Sequence, residues 1–475
     1  MQLLSTIGLA ALAGVASSKE MEKDMVKAAE LYDSGVIHQR IMDNKHSWWD
    51  QQRAAGAFES AQYPELSNVP CVDGLAVAIE GDANNTFKCN NLDLVHFLSH
   101  ADLGSDGGEG SSSWGWESPD GREFIAIGQS DGAAFAEITS EGKLVYLGRL
   151  PQYSTPAIWR EIRAYKNYMV IGSEAVGHNI QIFDMTKLLD VDPASPVTFS
   201  NDEDLTGLFT GLPVGRTHNV VVNEATNWAY AVGAAPRTNT TCAAGLIFID
   251  LTDPSNPVSP GCDPQDGYVH DAQCVIYNGP DTQYVGREIC YGYNEDTLTI
   301  YDVTEKPNSK VISRTSYQGA SYTHQGWLLD KEWQEFLILD DEYDEYDRVE
   351  PAADGYFVTY IWNISSLAAP LQTGYYKSEH YGIDHNQYVI DGKAYQSNYG
   401  SGFHIIDVSS IPEDPTGAGV KEVAFFDIYP EDDALENGGI IEFVGSWSSY
   451  AYFKSGYYFV NTIERGAFVL KDSAA

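Results

Sequence analysis

Two short phrases recur in register along one chain, and the stretches between them have β texture broken by regular turns. Together these predict an all-β fold, a seven-bladed β-propeller with a short N-terminal helical segment. The first phrase is an apolar run, an acidic or amide residue, an apolar residue, then Thr or Ser. Its acidic or amide positions are Glu137, Asp184, Asp250, Asp302, Asn363 and Asp407, at steps of 47, 66, 52, 61 and 44. The side chain at that position is expected to cap the turn that ends a strand. Gly466 to Leu470 reads as a seventh, truncated copy. The second phrase carries a histidine: Thr217-His218-Asn219, Val269-His270-Asp271, Thr323-His324-Gln325 and Asp384-His385-Asn386, at steps of 52, 54 and 61. The equivalent places hold Trp159-Arg160-Glu161 in the second unit, Trp114-Gly115-Trp116 in the first and Trp447 in the last. Seven units close a ring without leaving long free edges.

In chain order, residues 1–18 read as a secretory signal. Leu3 to Ala16 is apolar and short, and small residues precede the first charge at Lys19. Residues 19–68 carry nearly all the helical signal, with Met21, Met25, Ala28, Ala29 and Leu31 at helix-like spacing. Residues 69–111 form a disulfide-containing lead-in, and 112–472 the propeller. No later window is apolar enough for a membrane span.

Six cysteines and no CxxC favour disulfides over metal binding. Pairing in sequence order, Cys71–Cys89, Cys242–Cys262 and Cys274–Cys290, is the simplest of the 15 connectivities. Export would make the sequons at Asn84, Asn239 and Asn363 glycan sites. There are 68 acidic against 28 basic residues in 475, a net charge of −40, and that field repels nucleic acid and anionic membranes. A secreted, extracellular monomer is expected.

The repeat phrases resemble LVIVD repeats, and longer stretches resemble the secreted choice-of-anchor B proteins. These stretches are Gly267 to Tyr277, Gly279-Pro280-Asp281, Tyr322 to Leu328, Asp341-Glu342, Asp384-His385-Asn386 and Gln396 to Tyr399. The resemblance covers roughly residues 70 to 471. It implies a propeller-like, cell-surface or secreted protein without an established activity, and this chain departs from it in showing no anchor.

In a propeller the connection into each innermost strand opens on one channel mouth. His218, His270, His324 and His385 are therefore expected to form an arc there. Imidazoles among carboxylates can ligate a divalent metal (Ca, Mn or Zn), and Asp271 and Glu342 are the leading carboxylates to stand behind the rings. They can equally transfer protons, or simply bind blade to blade. The acidic run Asp340 to Glu345 lacks the EF-hand ligand order and reads as a solvated loop. Trp114 and Trp116 suit either sugar stacking at the mouth or wedging between blades. There is no P-loop or HExxH.

Two functions compete. The first is an extracellular binding or interaction module for a carbohydrate or protein ligand. The alternative is a metal-assisted carbohydrate-active enzyme, a lyase or hydrolase, with the four histidines as catalytic candidates and Arg160 pairing with a substrate carboxylate.

Overall fold

The computed structural model describes residues 20–238 and 241–473. The expected export signal and Asn239 lie outside these residues. Strand pairing gives seven antiparallel blades of four main strands each. Their innermost strands are Gly110–Glu117, Arg160–Tyr165, Asn219–Asn223, Asp271–Ile276, Thr323–Leu328, Asn386–Ile390 and Ser446–Tyr450, for blades one to seven. Each touches the next in cyclic order, and the seventh touches the first. The ring is therefore closed, and it encloses a channel.

Burial explains why the strands alternate as they do. Seven apolar clusters fill the seven gaps between neighbouring blades. Phe124, Phe135 and Phe183 pack between blades one and two, and Tyr291, Leu337 and Trp362 between four and five. Trp116 belongs to the first of these clusters, as a wedge. The repeated phrase marks the end of each blade's third strand. Asp184, Asp250, Asn363 and Asp407 each accept a hydrogen bond from the backbone N–H two residues on, at 2.9, 2.8, 2.9 and 3.0 Å. Asp302 does the same for Thr304 at 3.2 Å. Glu137, one methylene longer, pairs instead with Arg122 at 2.6 Å.

The stretch from 69 to 111 is woven into the ring. Leu92–Ser99 pairs with Gly466–Asp472 and so supplies the fourth strand of blade seven, with Leu66–Val69 outside it. Thr86–Asn90 extends blade six, and Cys71–Cys89 ties the two additions together. Cys242–Cys262 links the turn before the third strand of blade three to the fourth strand, and Cys274–Cys290 joins the first two strands of blade four. Among the described residues no cysteine is free.

The N-terminal segment is a strap. Glu20–Glu22 pairs with the outer strand of blade four, and Leu66–Val69 lies on blade seven. Between them the helix Val36–Ala55 crosses one channel mouth. It stops at Gly56, whose φ of 83° is open to glycine without strain, and the N–H groups of Gly56 and Ala57 cap the last turn. Its buried face is Ile41, Lys45 and Trp49, spaced four apart. No helix among the described residues is long and apolar enough to cross a membrane.

Closure depends on the packing of Leu92–Ser99. Phe97 is buried, with its ring centroid 4.6 Å from that of Phe468. Phe97→Ala should cost about 3–5 kcal/mol in a denaturant titration, within the range for emptying an aromatic core position.

Candidate functional site

Four blades bring their histidines to the mouth beneath the helix. Consecutive ring centroids lie 4.2 Å apart for His218–His270, 4.3 Å for His270–His324 and 4.6 Å for His324–His385. The repeat spacing sets this arc, because each ring enters the ring of blades at the same height. Trp159 and Trp447 take the matching places in blades two and seven, and both pack against Trp49 of the helix. Trp49 also donates from Nε1 to the Phe443 carbonyl at 2.8 Å. The mouth thus divides into a histidine arc and a tryptophan clasp.

Each imidazole is oriented through Nδ1. His270 Nδ1 donates to the His324 carbonyl at 2.9 Å, and His385 Nδ1 to the Trp447 carbonyl at 2.9 Å. A carbonyl can only accept, and burial pushes both imidazoles well below their ordinary pKa. Both are therefore neutral Nδ1–H tautomers with the lone pair on Nε2. His324 Nδ1 lies 3.0 Å from Asp340 Oδ1, and burial lowers this ring to about 3. His218 Nδ1 lies 2.6 Å from Glu174 Oε1. The groups behind the rings are thus Glu174, Asp340 and two carbonyls.

Glu342 sits among the rings. One donor atom each of His270, His324 and Glu342 lies within 4.8 Å of the others, and His385 Nε2 is 3.8 Å from Glu342 Oε1. Lys45 reaches down from the helix to place Nζ 2.6 Å from the same oxygen, and Tyr399 donates its hydroxyl there too. Burial alone would raise this carboxyl, but the Lys45 ammonium beside it holds it down at about 2. Its second oxygen, Oε2, is buried without a hydrogen-bond partner. His270, His324 and Glu342 together form a donor set that suits a first-row divalent metal.

Two sequence candidates fall elsewhere. Arg160 is 2 % exposed, donating from Nε to the Gln129 carbonyl at 2.9 Å, with Nη1 2.7 Å from His178 Nε2. It lies within the protein between blades one and two, and strand alternation gives the channel to Glu161 and Arg163 instead. Asp271 is also buried and accepts from the Ala272 N–H at 2.7 Å, so it backs no imidazole directly. The acidic run corrects the reading of a solvated loop: Asp340, Asp341, Glu342, Asp344 and Glu345 are all buried.

The same innermost strands end in a cavity of about 1010 Å³ at the far side of the channel. The histidines precede or begin these strands, whereas the cavity takes Asn223, Gln273 and Trp327 from their later halves. Trp114, Arg163 and Tyr452 also line it. The Arg163 guanidinium lies 4.5 Å from the Trp114 ring centroid and 2.8 Å from Glu161.

A third grouping is closed on itself. Glu422 lies 3.2 Å from His380 Nε2 and 2.8 Å from His404 Nδ1, tying blade five to blade six. Burial would raise Glu422, but the bonds to the two imidazoles lower it to about 2. A carboxyl held low stabilises the fold fully above its unfolded value of about 4.3 and loses that contribution as pH falls through its folded value. Glu422→Gln should therefore lower the melting temperature at pH 6, and the gap to wild type should close toward pH 2.

No family model matches the chain, and no curated protein matches it. The resemblance to LVIVD repeats and choice-of-anchor B proteins therefore rests on the quoted phrases alone. Solved structures similar over most of the chain include two at low identity. The WD40 β-propeller domain of Doa1 matches at 10% identity and a TM-score of 0.46, covering 83% of this chain and 98% of that one. The computationally designed Ika8 protein matches at 10% identity and a TM-score of 0.44, covering 86% and 97%. The fold assignment stands on the strand pairing described above.

Proposed function

We propose that the protein is an exported binding module that seats a neutral extracellular carbohydrate in the open end of its channel. The observation that carries this reading is the cavity of about 1010 Å³ with half-buried Trp114 and Trp327 on its wall. Indole faces stack on the apolar faces of sugar rings, and Arg163, Asn223 and Gln273 offer polar groups to hydroxyls. The net charge of −40 and the pairing of Arg163 with Glu161 favour a neutral ligand over a polyanion. Three disulfides suit an oxidising compartment, in keeping with secretion. Asn84 is exposed on a short 3-10 turn and is the better placed of the two described sequons, since Asn363 is half-buried in its turn.

Titration with neutral oligosaccharides, followed by tryptophan fluorescence, tests this. Saturable binding is expected, weakened roughly 10-fold by Trp114→Ala or Trp327→Ala. A flat titration across gluco-, manno- and xylo-oligosaccharides would reject the carbohydrate reading.

The orphaned Glu342 Oε2 favours a second reading, a divalent metal held by His270, His324 and Glu342. Lys45 competes with that cation. Lys45→Met leaves Glu342 as an uncompensated buried charge, at a cost of about 3–5 kcal/mol in chelator. Added Mn²⁺ or Zn²⁺ should then restore the melting temperature; no recovery with either ion would mark the mouth as a staple between blades.

A further inference from the structure

Beside the histidine arc, three further carboxylates converge with no cation among them. Asp344 and Glu345 follow the second strand of blade five, and Asp384 precedes the innermost strand of blade six. They are 0 %, 0 % and 1 % exposed. One oxygen of each lies within 4.8 Å of the other two. Five of their six oxygens have no hydrogen-bond partner: Asp344 Oδ1, both of Glu345 and both of Asp384. The sixth, Asp344 Oδ2, accepts from the Tyr360 hydroxyl at 2.6 Å. Neighbouring bases are directed elsewhere, Lys45 and His385 toward Glu342 and His324 toward Asp340. The other charges nearby are the carboxylates of Asp340, Asp341 and Glu342.

Burying one uncompensated carboxylate costs several kcal/mol, and three together add mutual repulsion. Burial and that repulsion push all three carboxyls well above the ordinary range. Orphaned buried acceptors aimed at one another are what a hard cation would satisfy. We propose that Asp344, Glu345 and Asp384 form a Ca²⁺ site buried between blades five and six. The donors are all oxygen, which excludes a preference for zinc or copper. Five open oxygens supply most of the 6–8 ligands that Ca²⁺ takes, and carboxylates binding through both oxygens fit it better than the strict octahedron of Mg²⁺. The ion would clamp two blades and fix the backbone beside Glu342 and His385. It is independent of any metal at the histidines, whose nitrogen donors suit a softer ion.

The test uses the full secreted protein after dialysis against EGTA. Tb³⁺ is the first probe, because Tyr360 bonded to Asp344 is placed to sensitise its luminescence. A luminescent complex displaced by Ca²⁺, and a melting temperature raised by millimolar Ca²⁺, are expected. Asp384→Asn and Glu345→Gln should each weaken Ca²⁺ binding about 10-fold or more, and so hold one ion fewer per chain at the Ca²⁺ concentration that just saturates wild type. His324→Ala should keep that ion. If Asp384→Asn fails to fold, Glu345→Gln and the wild-type titration still decide. Unchanged stoichiometry in Glu345→Gln, or wild type that shows no Ca²⁺ binding or melting shift at millimolar Ca²⁺, would overturn the site. The latter result would mean that the three acids share protons.

Discussion

A ring of seven blades is stable only if its last gap is sealed, and here one pairing seals it. Leu92–Ser99 adds to Gly466–Asp472, so the seventh blade is built from both ends of the propeller sequence. Every gap can then fill with apolar side chains, and no innermost strand has an unsatisfied neighbour. The path of the N-terminal segment follows from this. Chain preceding Leu92 starts from the rim of blade seven, and its far end is held on blade four. The helix between those anchors has to pass over the mouth, which is why it can bury Trp49 between Trp159 and Trp447.

Beneath the helix, chemistry rather than packing sets the arrangement. Four imidazoles are turned by their Nδ1 groups, and a lysine from the strap meets the one carboxylate among them. The acid-rich loop of blade five is buried along with them, so the mouth gathers carboxyl groups where water cannot solvate them. Lys45 answers only Glu342. The far end of the channel is the contrary case, open and aromatic, with its one arginine stacked and paired. The two ends of one channel thus offer different chemistry: one sealed and electrostatic, the other accessible and suited to a ligand.

Much of this was legible because propeller repeats carry their signals in fixed places. The Asp or Asn that ends each third strand repeats because its side chain closes the following turn, and Glu137 departs from the pattern only by its length. The histidine spacing foretold an arc because the blades share one pitch, and the cysteine pairs join segments close together in sequence. The rest needed tertiary context. Charge in a run usually means solvent, and nothing local to Asp340–Glu345 says that two blades and a helix bury it. The stripe Ile41, Lys45, Trp49 was present in the sequence, but the lysine in its centre disguised an inward face. Arg160 has the right register for the channel within an error of one residue, and in a strand one residue is the whole difference between lumen and interior.

The sealing strand also constrains how the protein is made. Residues Leu92–Ser99, mostly apolar, leave the ribosome early, yet their partner is the last strand of the propeller. Until synthesis is nearly complete, this segment has no native mate along that edge, and unpaired apolar strands invite association between nascent chains. The neighbouring Cys71–Cys89 link forms between positions close in sequence, so it can hold the segment in a local hairpin while the blades accumulate. A compartment that oxidises thiols during translocation would therefore act as a holding device for the one strand that must wait.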